Sequence, residues 1–421
     1  MRSNPMGVSA GRRFGHKNVS NLSGNEIFCL NRMGFEPGQI CFGNSVHSLG
    51  IGIKGFGAAV SSLFGGEVRE ITELVSNGRR QSFDRMRQQA MRDRGEGITG
   101  VTFDVITHGA CVEFLTIGSS VQKSGADDRL HFSSSSNVQQ LYCQVDAGFQ
   151  PKQFVFGNVA YSLGVGGGVF GALRSLSRGE VKEYTEVFEK TRKLAVERIK
   201  LDAQKAGANS ILGIETSIQN MFGVREMIMT GTASVHPLLV GRTENPVTSA
   251  LSNVELWNLI HLGFMPVDLV MAVSVCSLGI KGELNSLFRT LGGGEIHELS
   301  EVLDEARERT LNRMAAEADR LGADQVVGVK TQILELPGGM IEFMVIGTAV
   351  KKMAGVGTVN QSLPPQATVF EKDTFIFEGG VPVSSGVDQR RPGTESSSVK
   401  HLIILILIFT FIFLRVISHS R

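Results

Sequence analysis

The sequence predicts an α+β protein of three tandem β-α-β-β domains, each a helix layer on a small antiparallel sheet, followed by a C-terminal transmembrane helix. Three observations carry that reading. One unit recurs three times, every copy runs through strand and helix periodicities in the same order, and the chain closes with an apolar run.

The repeat is visible by eye. "MGFEPGQICFGNSVHSLGI" starts at Met33, "AGFQPKQFVFGNVAYSLGV" at Ala147 and "LGFMPVDLVMAVSVCSLGI" at Leu262. The Gly-Phe pairs fall at 34–35, 148–149 and 263–264, a period of 114 and then 115 residues. Later landmarks keep step: "GGEVREITEL", "RGEVKEYTEV" and "GGEIHELSEV", then "GITGVTFDVI", "SILGIETSI" and "QVVGVKTQI". Domains at 25–123, 137–240 and 252–352 follow. The linkers Lys123–Ser136 and Gly241–Ser252 are polar and rich in turn formers. Residues 1–24 read as a flexible lead-in. Residues 353–400 read as a flexible stalk with one short ordered piece at Thr374–Gly379.

The third copy shows the elements in order. Leu269, Met271, Val273 and Val275 alternate as a half-buried strand. A short amphipathic piece, Glu283–Leu291, precedes a glycine break. A long helix then repeats Ile296, Leu299, Val302, Ala306, Thr310, Met314, Ala318 and Leu321 at three and four. Glu295, like Glu67 and Glu180, suits the positive end of a helix dipole. Gly322 closes the helix as a C′ glycine, with Gly207 and Gly95 in that role in the other copies. Two strands joined by "ELPGG" complete the unit as a hairpin.

The first copy also contains Gly50-x-Gly52-x-x-Gly55, the spacing of a dinucleotide fingerprint. That motif needs all its glycines and a parallel βαβ sheet. Only Gly50, Gly164 and Gly279 recur at equivalent places, so they read as structural turn glycines that supply a permissive φ.

Composition narrows the function. The chain is 42% hydrophobic with formal net charge +1, so it offers no general attraction to nucleic acid. Arg79, Arg80, Arg85, Arg87, Arg92 and Arg94, interleaved with Asp84 and Asp93, read as a solvated helix face. Cys29, Cys41, Cys111, Cys143 and Cys276 form no C-x-x-C pair, which argues against a zinc site or disulfide framework. No secretory signal begins the chain. The segment Leu402–Leu414 has Thr410 as its one polar residue. Thirteen residues cover only ~20 Å of a ~30 Å hydrocarbon slab; extension to Ile417, with Lys400 and Arg415 snorkelling, narrows the gap. Residues 401–417 are therefore expected to anchor the chain in a lipid bilayer, with its bulk in the cytosol.

The turns and strands of each copy, above all Leu321-Gly322-Ala323-Asp324, Val326-Val327-Gly328-Val329 and Gly347-Thr348-Ala349-Val350, resemble the YbjQ-like family, labelled "putative heavy-metal-binding". The resemblance implies a small α+β domain that assembles into rings. It supplies no catalytic residue and no secure metal ligands, so no cofactor is expected beyond the heavy metal of the label. Positions 47, 161 and 276 hold His, Tyr and Cys, and none of the nine histidines recurs between copies. No catalytic constellation is recognisable. Glu113, Glu226 and Glu342 do recur, five residues before the last strand's Gly-Ser or Gly-Thr. They read as acids at an interface or a ring lumen, or as solvent-facing strand residues. The expectation is a non-enzymatic, membrane-anchored scaffold that self-associates and binds an unknown protein partner but no nucleic acid. A metal- or small-anion-binding assembly is the alternative.

Overall fold

A computed structural model describes residues 18–48, 66–108, 111–123, 129–162, 179–222, 224–277, 297–336 and 340–369. Each domain is a mixed α+β unit built on the same plan. In domain 1 a short helix α1 (Gly24–Arg32) leads into β1 (Glu36–Ser48), a dipeptide strand β2 (Gly66–Glu67) and the long helix α2 (Arg69–Arg92). The hairpin β3 (Gly97–His108) and β4 (Cys111–Gln122) follows, with β5 (Phe132–Ser133) in the linker. Domain 2 repeats this as α3 (Val138–Asp146), β6 (Gln150–Ser162), β7 (Gly179–Glu180), α4 (Lys182–Lys205), β8 (Ser210–Met221), β9 (Val224–Val235) and β10 (Val247–Thr248). Domain 3 comprises α5 (Asn253–His261), β11 (Phe264–Ser277), α6 (His297–Arg320), β12 (Gln325–Leu336) and β13 (Met340–Lys352); α7 (Pro365–Thr368) follows it.

In each sheet the last strand of the domain is central, antiparallel to both the first strand and the hairpin partner. The long helix covers one face. Ile71, Val75 and Met86 in α2, and Phe188, Ala195 and Ile199 in α4, recur at helical spacing and are buried. The helix lies close because the first strand carries a glycine beneath it. A Cβ at Gly43 would stand 1.9 Å from the Ser82 carbonyl oxygen, and one at Gly157 would stand 2.3 Å from that of Ala195. The recurring "TG", "LG" and "VG" of the hairpin also have a cause. Gly100, Gly213 and Gly328 have φ of 63°, 60° and 61°, each within a register shift where one strand bulges.

The three short leading helices were not anticipated. They are capped by Ser23, Asn137 and Ser252, with reciprocal boxes from Glu26 and Glu255. Leu30, Leu141, Leu256, Trp257 and Ile260 join them in one apolar cluster shared by all three domains.

Several expectations are corrected. Gly207 and Gly322 take the left-handed conformation after their helices, but in domain 1 Arg94 does so (φ 57°), so Gly95 is not the C′ residue. Glu67 and Glu180 do not open helices; they sit in dipeptide strands before the first helical turn. Each linker contributes a short strand beyond its turn formers, as Phe132–Ser133 and Val247–Thr248 add parallel to β3 and β8. Residues 353–369, expected within a stalk, fold back: Val359 donates to the Asp146 carbonyl (2.9 Å) and Gln139 to that of Gln366 (2.5 Å). Residues 18–24 are also tied down, with Ile40 donating to the Val19 carbonyl (2.7 Å). Gly50, Gly164, Gly279, Glu283–Leu291, Thr374–Gly379 and 401–417 lie outside the described residues. Among the described residues no helix is long and apolar enough to cross a membrane.

Candidate functional site

The recurring chemistry of this chain gathers where one domain meets the next. The dipeptide strand before the long helix pairs antiparallel not with its own sheet but with the following domain. Gly66 and Glu67 pair with Ser162 and Tyr161 of β6, and Gly179 and Glu180 with Ser277 and Cys276 of β11. The pairing continues as Val68 donates to the Ala160 carbonyl and Val181 to that of Val275, both at 2.8 Å. Thr72 and Thr185 accept from the amides of Ala160 (2.9 Å) and Val275 (3.0 Å) in return. This is strand addition within one chain. At this contact positions 161 and 276 act through their backbone, which leaves their side chains free to differ.

A buried ion pair sits at the centre of each junction. Arg79, at the eleventh position of α2, forks onto both oxygens of Glu226 on β9, with Nη2 to Oε2 at 2.8 Å. Arg192, at the eleventh position of α4, reaches Glu342 on β13 at 2.7 Å. Both arginines and both glutamates are inaccessible to solvent. Such charges are tolerated in a core only when paired. The junctions differ in how completely they manage this. Glu226 also accepts from Asn158 (2.9 Å) and Gln219 (3.0 Å). The equivalent places near Glu342 are occupied by Val273 and Leu334, and among the described residues its Oε2 has no hydrogen-bond partner. Arg192 instead lies 4.4 Å from the centre of the Tyr161 ring and donates to the Tyr161 hydroxyl at 2.7 Å.

A second arginine works in the opposite direction. Arg198 and Arg313, at the seventeenth helix position, donate 2.6 and 2.7 Å bonds back to Glu67 and Glu180 of the preceding domain. Apolar contact fills the rest. Phe83 and Phe103 of domain 1 pack on Phe154 of domain 2 at 5.3 and 5.0 Å between ring centres. Val196, Ile214 and Ile218 of domain 2 share a core with Leu269 and Met271 of domain 3.

Of the expected acids, then, Glu226 and Glu342 are buried at the two junctions. Glu113 is not: it faces outward on β4, bonded to His108 (2.8 Å) and Asn44 (3.2 Å). The bond from His108 holds its carboxyl below the usual range. Arg79 is a correction, since the arginine run of α2 is not uniformly a solvated face. The arginines were missed although the same threefold comparison that found the glutamates places Arg79, Arg192 and Arg307 in register.

The metal donors fit poorly. No group of three or more His, Cys, Asp or Glu side chains converges among the described residues. Burial pushes the thiols of Cys29 and Cys41 up to about 11 and that of Cys143 up to about 12, which disfavours the thiolate a soft metal needs. A cleft of about 680 Å³ between α4 and α6 is lined by charges of both signs, among them Glu189, Lys193, Arg309, Arg313, Glu317 and Arg320.

Comparison with known proteins agrees with the threefold plan. The profile of the YbjQ family, described as "Putative heavy-metal-binding", matches residues 35–124, 149–236 and 265–353. Over 249 residues the chain is 30% identical to a protein named Encapsulin nanocompartment protein Rv1762c of Mycobacterium tuberculosis, covering 55% of this chain and 92% of that one. It is 43% identical over 85 residues to a UPF0145 protein of Methanococcus maripaludis, covering 20% of this chain and 76% of the relative. A UPF0145 protein of Thermosipho melanesiensis is 40% identical over 83 residues, 20% and 77% of the two chains. With the family profile matched in each of its three structural repeats, the chain belongs to the YbjQ family and carries the family's domain three times in tandem.

Proposed function

We propose that this protein is an oligomerising, non-catalytic scaffold that holds three fused YbjQ-like domains at a membrane surface, facing the cytosol, for a protein partner. One observation carries the reading: the same junction, with a buried Arg–Glu pair at its centre, joins domain 1 to 2 and domain 2 to 3. A chain that invests its buried charges in docking one domain onto the next presents a fixed array rather than independent beads. Fusion also raises the effective concentration of each domain for its neighbour. Similarity to a protein named for a nanocompartment supports an assembly role. The run Leu402–Leu414 supplies the anchor.

Vesicle flotation tests the placement. The full chain is expected to float with phosphatidylcholine vesicles and to stay bound after alkaline carbonate, whereas a chain with Leu405, Leu407 and Phe409 changed to aspartate sediments. Release of the unaltered chain by carbonate would contradict membrane anchoring.

A further inference from the structure

The two outer faces of the array carry, unpaired with each other, the features that the two internal junctions bring together. On the trailing face of domain 3, Arg307 stands at the eleventh position of α6, where Arg79 and Arg192 stand in theirs. It is 46% exposed and, among the described residues, bonds locally to Asp304 one turn back (2.6 Å). Leu311, at the fifteenth position, is 47% exposed where Phe83 is buried and Val196 is packed. Val329 and Ile333 are exposed as well, where Val101, Ile214 and Ile218 are covered by the next domain. The start of β12, Gln325 and Val326, has no parallel strand beside it among the described residues, although its equivalents in β3 and β8 both have one.

The leading face of domain 1 carries the complement. Glu113 is equivalent to Glu226 and Glu342 but 20% exposed, and Asn44 bonds to it as Asn158 bonds to Glu226. His108 fills in for the missing arginine. Val46 is 56% exposed where Ala160 and Val275 are fully buried, and Phe42 is exposed where Phe156 is buried. Residues 18–21 lie on domain 1 where the linkers lie on domains 2 and 3. Ser119 bonds to Asn21 as its equivalent Thr232 bonds to Ser135.

We infer that the trailing face of domain 3 docks onto the leading face of domain 1 in a second copy of this chain, with Arg307 pairing with Glu113. The occupant is a second copy and not the chain's own first domain, because within one molecule Arg307 bonds to Asp304 and Glu113 to His108 rather than to each other. Charge, apolar patch and strand edge all match what the two internal junctions already contain, and continuity with them fixes the orientation. Such a contact is heterologous, so it propagates until a ring closes. The inference rests on the scaffold reading and names its self-association surface.

The test is the mass of the full chain in detergent by sedimentation. The unaltered chain is expected to form assemblies. Arg307→Glu alone and Glu113→Arg alone, each placing like charges in the contact, should weaken assembly at least tenfold. Both side chains reach solvent, so each variant should keep the unaltered chain's far-UV spectrum. An equimolar mixture of the two variants should regain assembly, because each supplies the face the other needs. If either variant assembles as the unaltered chain does, or the mixture stays as weak as its components, this junction is wrong while the scaffold reading stands. A chain that is monomeric without any change overturns both.

Discussion

Replacing Arg192 by alanine is expected to lower stability by about 5 kcal/mol, and replacing Arg79 by about 3 kcal/mol, the two ends of the range for stripping a buried charge of its partner. The difference follows from what each carboxylate keeps. Without Arg79, Glu226 still accepts from Asn158 and Gln219. Without Arg192, Glu342 has no donor left among the described residues. Trp257, the single tryptophan, sits buried beside Asp146 across the domain 2–3 boundary, with its indole nitrogen 2.6 Å from that carboxylate. Its fluorescence in urea unfolding reports both losses. Glu113→Ala should cost under about 1 kcal/mol in the unassembled chain, because a solvent-facing pair with His108 contributes little. Equal costs for Arg79 and Arg192 would show that donors beyond the arginine do not matter.

Gly157→Ala should destabilise domain 2 by about 3 kcal/mol, the upper part of the usual range for overpacking. The added methyl would sit 2.3 Å from the Ala195 carbonyl oxygen and 2.5 Å from the Ile199 amide nitrogen. Both are helix backbone, so no side chain can swing aside. The whole of α4 must rise, taking Arg192 and Arg198 with it. Domain 3 carries Ala272 at the same position, which shows that the plan accommodates a methyl when the helix is seated for it from the outset. Thermal unfolding of the full chain measures the effect; a change below about 0.5 kcal/mol, within the range of an ordinary surface substitution, would mean that helix and strand are not in contact there.

The repeat made much of the fold legible. Alternation in Leu269–Val275 and the three-and-four spacing along Ile71, Val75 and Met86 place strand and helix without help from tertiary contacts, although β11 is buried on both faces and not half-buried. The leading helices were overlooked although Ser23 with Glu26, and Ser252 with Glu255, form the capping-box signature. Nine residues show too little periodicity to stand out beside a helix of twenty-four.

The junctions were harder for a physical reason. Glu226 and Glu342 recur with Glu113, but recurrence cannot distinguish a carboxylate buried under a neighbouring domain from one facing water. Arg79 is followed by Arg80, which is partly exposed and pairs with Asp202, so the run looks solvated until the helix is placed. Likewise, nothing local tells that Gly66 and Glu67 pair with a strand of the next domain, because strand addition is a backbone contact that leaves no side-chain pattern.

Native-state hydrogen exchange at the amides of Val68, Ala160, Val181 and Val275 tests the central claim most directly, since all four bond across a domain boundary. A locked array predicts protection there within about tenfold of the central strands, because opening a junction would require undocking a buried ion pair. Exchange at these amides as fast as in exposed turns, with the central strands still protected, would contradict it.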